Sequence, residues 1–381
     1  MSTHLLEQSG SRPNEKKMTA DPFEIAVFHG DGIGPEIMAP TLRIMREIAG
    51  SAKSYDLLLL DLPAGARHYA ETGTSLPEVS LKRARNADAI LLSAMGLPDI
   101  RYSDGTEISP QIELRMELDL FAGVRPVRIR SGQVSPLKLP KYKSVDFVLI
   151  RESTEGLFYS IGSGDEREAE ARETLRITRE TSEKLFRFAF DLATQRKETG
   201  DGPGRVTCVD KANVFRAFAF FRKIFDEEAS AWPGLLTDHA YVDAMALWLV
   251  QRPWDFDVMV TENMFGDILS DLGAGLMGGL GLAPSADIGE KHAVFQPCHG
   301  SAPDIAGLGI ANPLAMILSA AMMLEWLGSQ HDVEEMRHDG RRLRDADDAD
   351  LSDRSCLTRD LGGGASTEEV AGAVLKSLFV E

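Results

Sequence analysis

The chain has 381 residues, 43% of them hydrophobic and 26% charged, with a formal net charge of −18. That length suits two or three domains, and no apolar run approaches the roughly 20 residues that span a bilayer. A surface this acidic repels nucleic-acid backbones and anionic membranes, which excludes both as partners.

Residues 1–21 are polar, mixed in charge and without a hydrophobic stretch, so they read as a disordered tail and not a secretory signal. Cys208, Cys298 and Cys356 are too few for a disulfide framework and form no CxxC pair. A reducing, cytoplasmic setting is the expectation. Residues 24–29 (EIAVFH) predict a strand, GDGIGPE a Gly-rich turn, and residues 36–48 an apolar-periodic helix. The glycines are spaced Gly30-x-Gly32-x-Gly34 and not GxGxxG, so a tight turn near the active site is a better reading than a Rossmann pyrophosphate loop. Further strands are predicted at 55–60, 89–92, 146–150, 205–209, 256–260 and 293–295. Helices at 178–193, 214–228, 313–327 and 367–379 alternate with them, the pattern of an α/β protein with a mostly parallel sheet. Residues 339–353 are charge-rich and weakly apolar, and predict a solvated loop or frayed helix. Gly362-Gly363-Gly364 reads as a flexible joint.

The residues with chemical potential lie between these elements. Asp267 and Asp271 in TENMFGDILSDLGAG are four apart, on one face of an otherwise apolar helix. Like charges at this spacing destabilise a helix, and a hard divalent cation relieves the repulsion. A solvated acidic face is the plainer alternative. Asp243 in AYVDAMALWLV is a third acid in an apolar setting. Arg115 and Arg125 flank LRMELDLFAGVRP, and Arg151 ends the strand VDFVLI; an Arg so placed in an acidic protein suits a carboxylate. Lys211 follows the strand RVTCVD, either as a base beside a cation or as a plain surface lysine. FQPCHGSAPDIAGLGIANP is rich in Gly and Pro around His299, Asp304 and Asn312, so its backbone can approach a ligand closely. Asp304 can accept both hydroxyls of a ribose and repels a 2′-phosphate.

Together the motifs GDGIGPE, LRMELDLFAGVRPV, RESTEG, VDKANV, YVDAM, TENMFGDILSD and HGSAPDIAGLGIANP resemble the β-decarboxylating dehydrogenases, the isocitrate, 3-isopropylmalate, homoisocitrate and tartrate/malate dehydrogenase family. The likeness runs over residues 25–327 and resumes at TRDLGGG. It implies a two-domain α/β fold that is not a Rossmann fold, with a cleft between the domains. Residues 22–120 and 278–381 would form a large NAD-binding domain, and residues 121–277 a small domain carrying the dimer interface and metal ligands. Arg115, Arg125 and Arg151 would grip the carboxylates of an anionic malate-type 2-hydroxy acid. Asp243, Asp267 and Asp271 would hold Mg²⁺ or Mn²⁺, with one ligand and Lys211 reaching across a homodimer with shared active sites. His299, Gly300, Ala302, Asp304, Ile305 and Asn312 would form the adenosine pocket, and Asp304-Ile305 resembles the NAD-using branch. The implied chemistry is hydride transfer to NAD followed by loss of CO₂.

The sequence departs from that family pattern twice. The tyrosine expected seven residues after Arg151, as acid for the enol, is Phe158, and Tyr159 stands one residue late. This opens the alternatives of a dehydrogenase that decarboxylates inefficiently and of a non-catalytic or regulatory subunit; the intact Lys211, Asp243, Asp267 and Asp271 argue against the latter. Before Arg115, Ser109 and Gln111 replace the paired leucines of isopropylmalate enzymes. An amide wall gives up part of the roughly 0.8 kcal/mol per CH₂ that an apolar wall supplies. A hydroxyl, a carboxyl or hydrogen on C3 then suits the site better than an isopropyl group, and the substrate stays open among 3-isopropylmalate, isocitrate or homoisocitrate, and tartrate or D-malate.

Overall fold

The opening strand β1 (Phe23–Phe28) is buried almost throughout, and helix α1 (Gly34–Ser51) follows the GDGIG turn. A computed structural model describes residues 21–129, 135–140, 143–353 and 356–379, so all but the last residue of the expected tail lies outside the described residues. The chain continues as β2 (Leu57–Asp61), α2 (Ala66–Thr72), α3 (Glu78–Asn86), β3 (Ala89–Leu92) and α4 (Pro110–Glu117). Its middle supplies β4 (Ala122–Ile129), β5 (Val145–Glu152), the small hairpin β6 (Asp165–Arg167) and β7 (Glu170–Arg172), then α5 (Arg179–Thr199) and β8 (Arg205–Asp210). Next come α6 (Arg216–Ala229), β9 (Leu236–Tyr241), α7 (Val242–Gln251), β10 (Val258–Thr261) and α8 (Asn263–Met277). The last part holds β11 (Pro284–Ile288), β12 (Ala293–Pro297), α9 (Leu314–Gln330), α10 (Glu334–Asp353) and α11 (Thr367–Phe379).

Ten strands form one sheet in the order β2-β1-β3-β12-β11-β4-β5-β10-β8-β9. Both wings are parallel, as the alternation of strands and helices predicts. At the centre, β12, β11, β4 and β5 pair antiparallel. The sequence pattern missed β4 (AGVRPVRI) and β11 (PSADI), whose Gly, Pro and charged residues lower strand propensity. Pairing on both sides overrides that local preference. The core of one wing is α1 against the sheet, through Ile37, Met38, Ile44 and Met45. In the other, α5 and α6 close over the sheet with Phe186, Phe190, Phe221 and Phe225, and Trp232 stacks on Phe190.

Two expectations change in part. Residues 339–353 take the helical of the two expected states, within α10, but α10 packs along α9 and is not simply solvated. Asp339 is buried there, accepting a hydrogen bond of 2.8 Å from the Tyr55 hydroxyl and pairing with Arg342. The Gly362–Gly364 segment is tied down, since the Gly363 amide donates to the Thr358 carbonyl at 2.9 Å.

The GDGIG segment is the tight turn the sequence suggested. Gly30 and Gly32 have φ of +75° and +56°, and a Cβ at either would lie 2.0 Å from a carbonyl oxygen, of Ala94 and Ser301 respectively. Between them Asp31, 2% exposed, accepts hydrogen bonds from the Ala66, Arg67 and Gly96 amides at 2.8, 3.0 and 2.9 Å. One carboxylate thus locks together three loops beside the site. Glu36, in the first turn of α1, accepts from the Gly307 and Ala311 amides and the Thr367 hydroxyl, which fixes the Gly-rich loop 301–312. Asp31→Ala strands three amide donors, so it is expected to lower stability by about 2–4 kcal/mol. A urea midpoint equal to wild type would contradict this account.

Candidate active site

At one face of the sheet's centre, a cavity of about 200 Å³ is lined by Gln111, Arg115, Arg125, Arg151, Asp267, Asp271, His299 and Gly300, among others. The polar side chains arrive from four elements: Gln111 and Arg115 from α4, Arg125 from β4, Arg151 from the end of β5, the two aspartates from α8. Helix α8 runs so close to β5 that a Cβ at Gly266 would come within 2.6 Å of Arg151 Cγ. That approach brings Asp267 onto the Arg151 guanidinium. Arg151 also donates to Asn263 Oδ1, at 2.8 Å from Nη2. Burial and the neighbouring Arg125 charge bring its pKa down to about 10.

Asp287 on β11 organises the arginines from behind. It is 1% exposed and accepts from Arg115 Nη2 at 3.0 Å, with Arg125 Nη2 at 3.8 Å and Gln296 Nε2 at 2.6 Å. Burial alone would raise this carboxyl, but the surrounding Arg115, Arg125 and Arg151 charges outweigh it and hold the pKa below the usual range. Sequence reading missed Asp287; the available signal was an acid inside the apolar segment PSADI. On α8, burial and then the Asp267 carboxylate one turn away raise the Asp271 pKa. That is the repulsion the i, i+4 spacing predicts, and it favours a cation between the two.

The remaining candidates lie elsewhere. Lys211 Nζ donates to Asp243 Oδ1 at 2.5 Å, away from the cavity lining, and the ammonium lowers the exposed Asp243 carboxyl. Among the described residues no three His, Cys, Asp or Glu side chains form a group able to hold a metal. Asp267 and Asp271 therefore supply two carboxylates of the expected set, and Asp243 is not brought to them within one chain. Ser109 precedes α4 and does not line the cavity. Tyr159 sits on the single 3-10 turn Leu157–Ser160, is half-exposed, and lies beneath Arg176 at 4.2 Å. Each residue turns about 120° in such a helix, so a one-residue shift swings the phenol to solvent.

The nucleotide-loop candidates form a contiguous segment. His299 contacts the Gly300 carbonyl through Nδ1 at 2.9 Å, so Nδ1 carries the proton and the buried Nε2 is an acceptor without a partner. Burial lowers the His299 pKa and keeps the ring neutral. Ala302 has φ of +36°, a strained value for a residue with a Cβ. Asp304 is exposed, Ile305 packs against the core, and Asn312 is buried with its amide donating to Asp360 at 3.0 Å.

These features place an arginine cluster suited to an anion beside the Gly-rich loop that begins at His299 and Gly300. The isocitrate/isopropylmalate dehydrogenase family model matches residues 24–374. The chain is 38% identical to a 3-isopropylmalate dehydrogenase of Aquifex aeolicus, over 93% of this chain and 97% of the relative. It is 40% identical to a 3-isopropylmalate/3-methylmalate dehydrogenase of Methanocaldococcus jannaschii, over 94% and 99%. An isocitrate dehydrogenase structure from Methylococcus capsulatus superposes with a TM-score of 0.79 at 34% identity, covering 93% of this chain and 99% of that one. A β-decarboxylating dehydrogenase structure from Thermococcus kodakarensis gives 0.75 at 33%, covering 93% and 96%. The protein is an oxidoreductase acting on the CH–OH group of a hydroxy acid. It belongs to the isocitrate/isopropylmalate dehydrogenase family and has that family's fold.

The depressed Asp287 pKa has a signed consequence. Its stabilising contribution is present above the unfolded carboxyl pKa of about 3.9 and is lost as pH falls through the folded value. Asp287→Asn is expected to cost about 3 kcal/mol at neutral pH, because it leaves buried guanidinium charge unpaired. The gap to wild type should narrow as the pH falls below about 4. Denaturation midpoints at neutral and acidic pH check this, and a pH-independent gap would contradict it.

Proposed function

We propose that the protein catalyses NAD-dependent, Mg²⁺- or Mn²⁺-assisted oxidation, with decarboxylation, of a malate-type 2-hydroxy acid carrying a small or polar group on C3. The convergence of Arg115, Arg125 and Arg151 with Asp267 and Asp271 on one cavity is the observation that carries this reading. With Asp287 included, three guanidinium groups meet three carboxylates, so the site has no spare charge for a dianion alone. A divalent cation entering with the acid keeps the balance.

Gln111 narrows the substrate. Its Oε1 is buried at the cavity without a hydrogen-bond partner, so a hydroxyl or protonated group on C3 would complete it. Of the candidate acids tartrate alone brings a C3 hydroxyl to this acceptor. The side carboxylate of isocitrate or homoisocitrate would take the amide Nε2 with the Gln111 amide turned over, and D-malate leaves room there for water. The isopropyl group of 3-isopropylmalate, the acid named for the relatives, satisfies neither atom.

In this mechanism the three arginines grip the carboxylates and orient C2 toward the nucleotide loop. Asp267 and Asp271, with Asp243 from a second copy, would hold the cation, and Lys211 from that copy, freed of its extra proton beside the dication, would act as the neutral amine that takes the hydroxyl proton. When bound, the cation would supply Lewis acidity and the nicotinamide a hydride acceptor. Asp304 accepts the ribose hydroxyls, and its charge favours NAD over its 2′-phosphorylated form. His299 Nε2 offers a lone pair to an adenine amine, while Gly300, Ala302, Ile305 and Asn312 shape the loop.

An exposed apolar patch beside the Lys211–Asp243 pair supports the homodimer: Leu247 and Ile268 are 54% and 62% exposed, with Val250 and Met264 near half. The cavity's lining supports division into a large unit, residues 22–120 with 278–381, and a small unit, residues 121–277. Arg115 and His299 belong to the first, and Arg125, Arg151, Asp267 and Asp271 to the second.

The first test is NADH formation with Mn²⁺ against a panel of 2-hydroxy diacids and triacids, with NADP as the cofactor control. Turnover is expected on an acid with a polar or unsubstituted C3, and Asp267→Asn should lose at least about 100-fold in kcat/KM. Silence across the panel with NAD still bound would count against catalysis.

A second reading, oxidation in which the keto acid leaves before losing CO₂, is favoured by Phe158 and the solvent-facing Tyr159. Under the main reading, CO₂ matches NADH in the wild type and Phe158→Tyr changes only the rate. A shortfall of CO₂ that Phe158→Tyr corrects would establish the second.

A further inference from the structure

A second cavity, of about 320 Å³, lies across the sheet from the first. Strand alternation makes the two share walls. On β4, Arg125 lines the front cavity while Val124, Pro126 and Arg128 line the rear one. On β12, Gln296 faces front and Phe295 rear. The outer wall comes from α5 through Leu192 and from α9 through Leu318, Met322 and Trp326. Trp326 packs on Phe295 with ring centroids 5.8 Å apart, so the chamber has an aromatic floor.

The rear cavity is rich in guanidinium groups. Five arginines (128, 196, 337, 341 and 344) line it with three carboxylates (Asp146, Asp201 and Glu325), while Asp257 pairs with Arg196 and Glu334 with Arg337 from outside the lining. Most are satisfied. Arg196 pairs with Asp146 at 3.0 Å and Asp257 at 2.7 Å, Arg128 with Asp146 at 3.1 Å, and Arg344 with Glu325 at 3.0 Å. Two donor groups are unused. Arg344 Nε is buried without a hydrogen-bond partner, and the exposed Arg341 has no ion pair or hydrogen bond among the described residues. They stand three apart on α10 and so share a face.

We propose that this rear cavity is a binding site for an amphiphilic monocarboxylate. The aliphatic tail lies against Leu192, Phe295, Met322 and Trp326, and the carboxylate sits at Arg341 and Arg344. A volume near the lower end of the ~300–1,000 Å³ typical of ligand pockets suits a medium-length chain. The polar acids of the front cavity have no apolar surface to fill it. Binding here does not depend on the activity proposed above.

The probe is octanoate, titrated into the full chain by calorimetry and tryptophan fluorescence, with octanol as the uncharged control. Saturable heat is expected, together with a change in fluorescence that disappears in Trp326→Phe. Arg341→Ala should weaken octanoate by about three- to tenfold and leave octanol unchanged. Ala321→Met fills the chamber and should abolish binding of both; Met322→Trp, from a half-buried position, carries the same expectation should the first variant fail to fold. The proposal is overturned by the absence of saturable octanoate binding, by octanol binding as tightly as octanoate, or by octanoate binding that survives in a folded filling variant.

Discussion

Three buried guanidinium groups around one buried carboxylate set the terms for the centre of this protein. Charge leaves water only when it is paired and hydrogen-bonded. Arg115 and Arg151 reach that state through Asp287, Asp267 and Asn263, while Arg125 stands 3.8 Å from Asp287 and donates to Cys298 Sγ, and Nε of Arg115 and of Arg125 is left for a bound anion. Asp287 can serve because β11 runs antiparallel between β12 and β4, placing its front-facing side chain beneath the arginines. Asp267 can serve because Gly266 lets α8 approach β5. Two backbone features of low strand or helix propensity thus exist for electrostatic reasons.

The same strands present different chemistry on their two faces. Odd positions of β4 and β5 carry Arg125 and Arg151 toward the front, and even positions carry Val124, Pro126 and Val148 to the rear. A single layer of backbone separates an ionic cavity from a largely apolar one. Register is therefore strongly specified at the centre, because a one-residue slip would carry Arg125 and Arg151 away from Asp287 and Asp267 and turn Val124, Pro126 and Val148 into the ionic cavity.

How much was legible follows from which signals are local. The predicted strand at 89–92 and helix at 367–379 coincide with β3 and α11, since continuous apolar runs and helical spacing survive without context. The Arg115, Arg125 and Arg151 cluster and the Asp267–Asp271 pair were legible because charge at the ends of apolar segments is costly and needs a reason. β4, β11 and Asp287 were not, because their strand state is created by neighbours distant in sequence. Asp339 was misread for the same reason: a charged stretch looks solvated until Tyr55, 284 positions earlier, is brought against it. At Tyr159 the sequence posed the right question, but the answer depended on whether the backbone there is extended or helical.

The placement of Lys211 and Asp243 tests whether one chain is a whole site. A 2.5 Å ion pair at the surface contributes little to stability, and exposed pairs of this kind are commonly worth under about 1 kcal/mol. Its surroundings are unusual: Tyr241 lies beside the Lys211 ammonium, and Leu247, Val250, Met264 and Ile268 expose apolar surface on α7 and α8. Ile268 is the immediate neighbour of Asp267, so the apolar patch and the carboxylate pair share one helix. A second copy docked on that patch would bury it and carry its own Lys211 and Asp243 toward Asp267 and Asp271. The two-carboxylate site of a single chain and the apolar patch beside it then have one physical explanation, a second copy that covers the patch and completes the site.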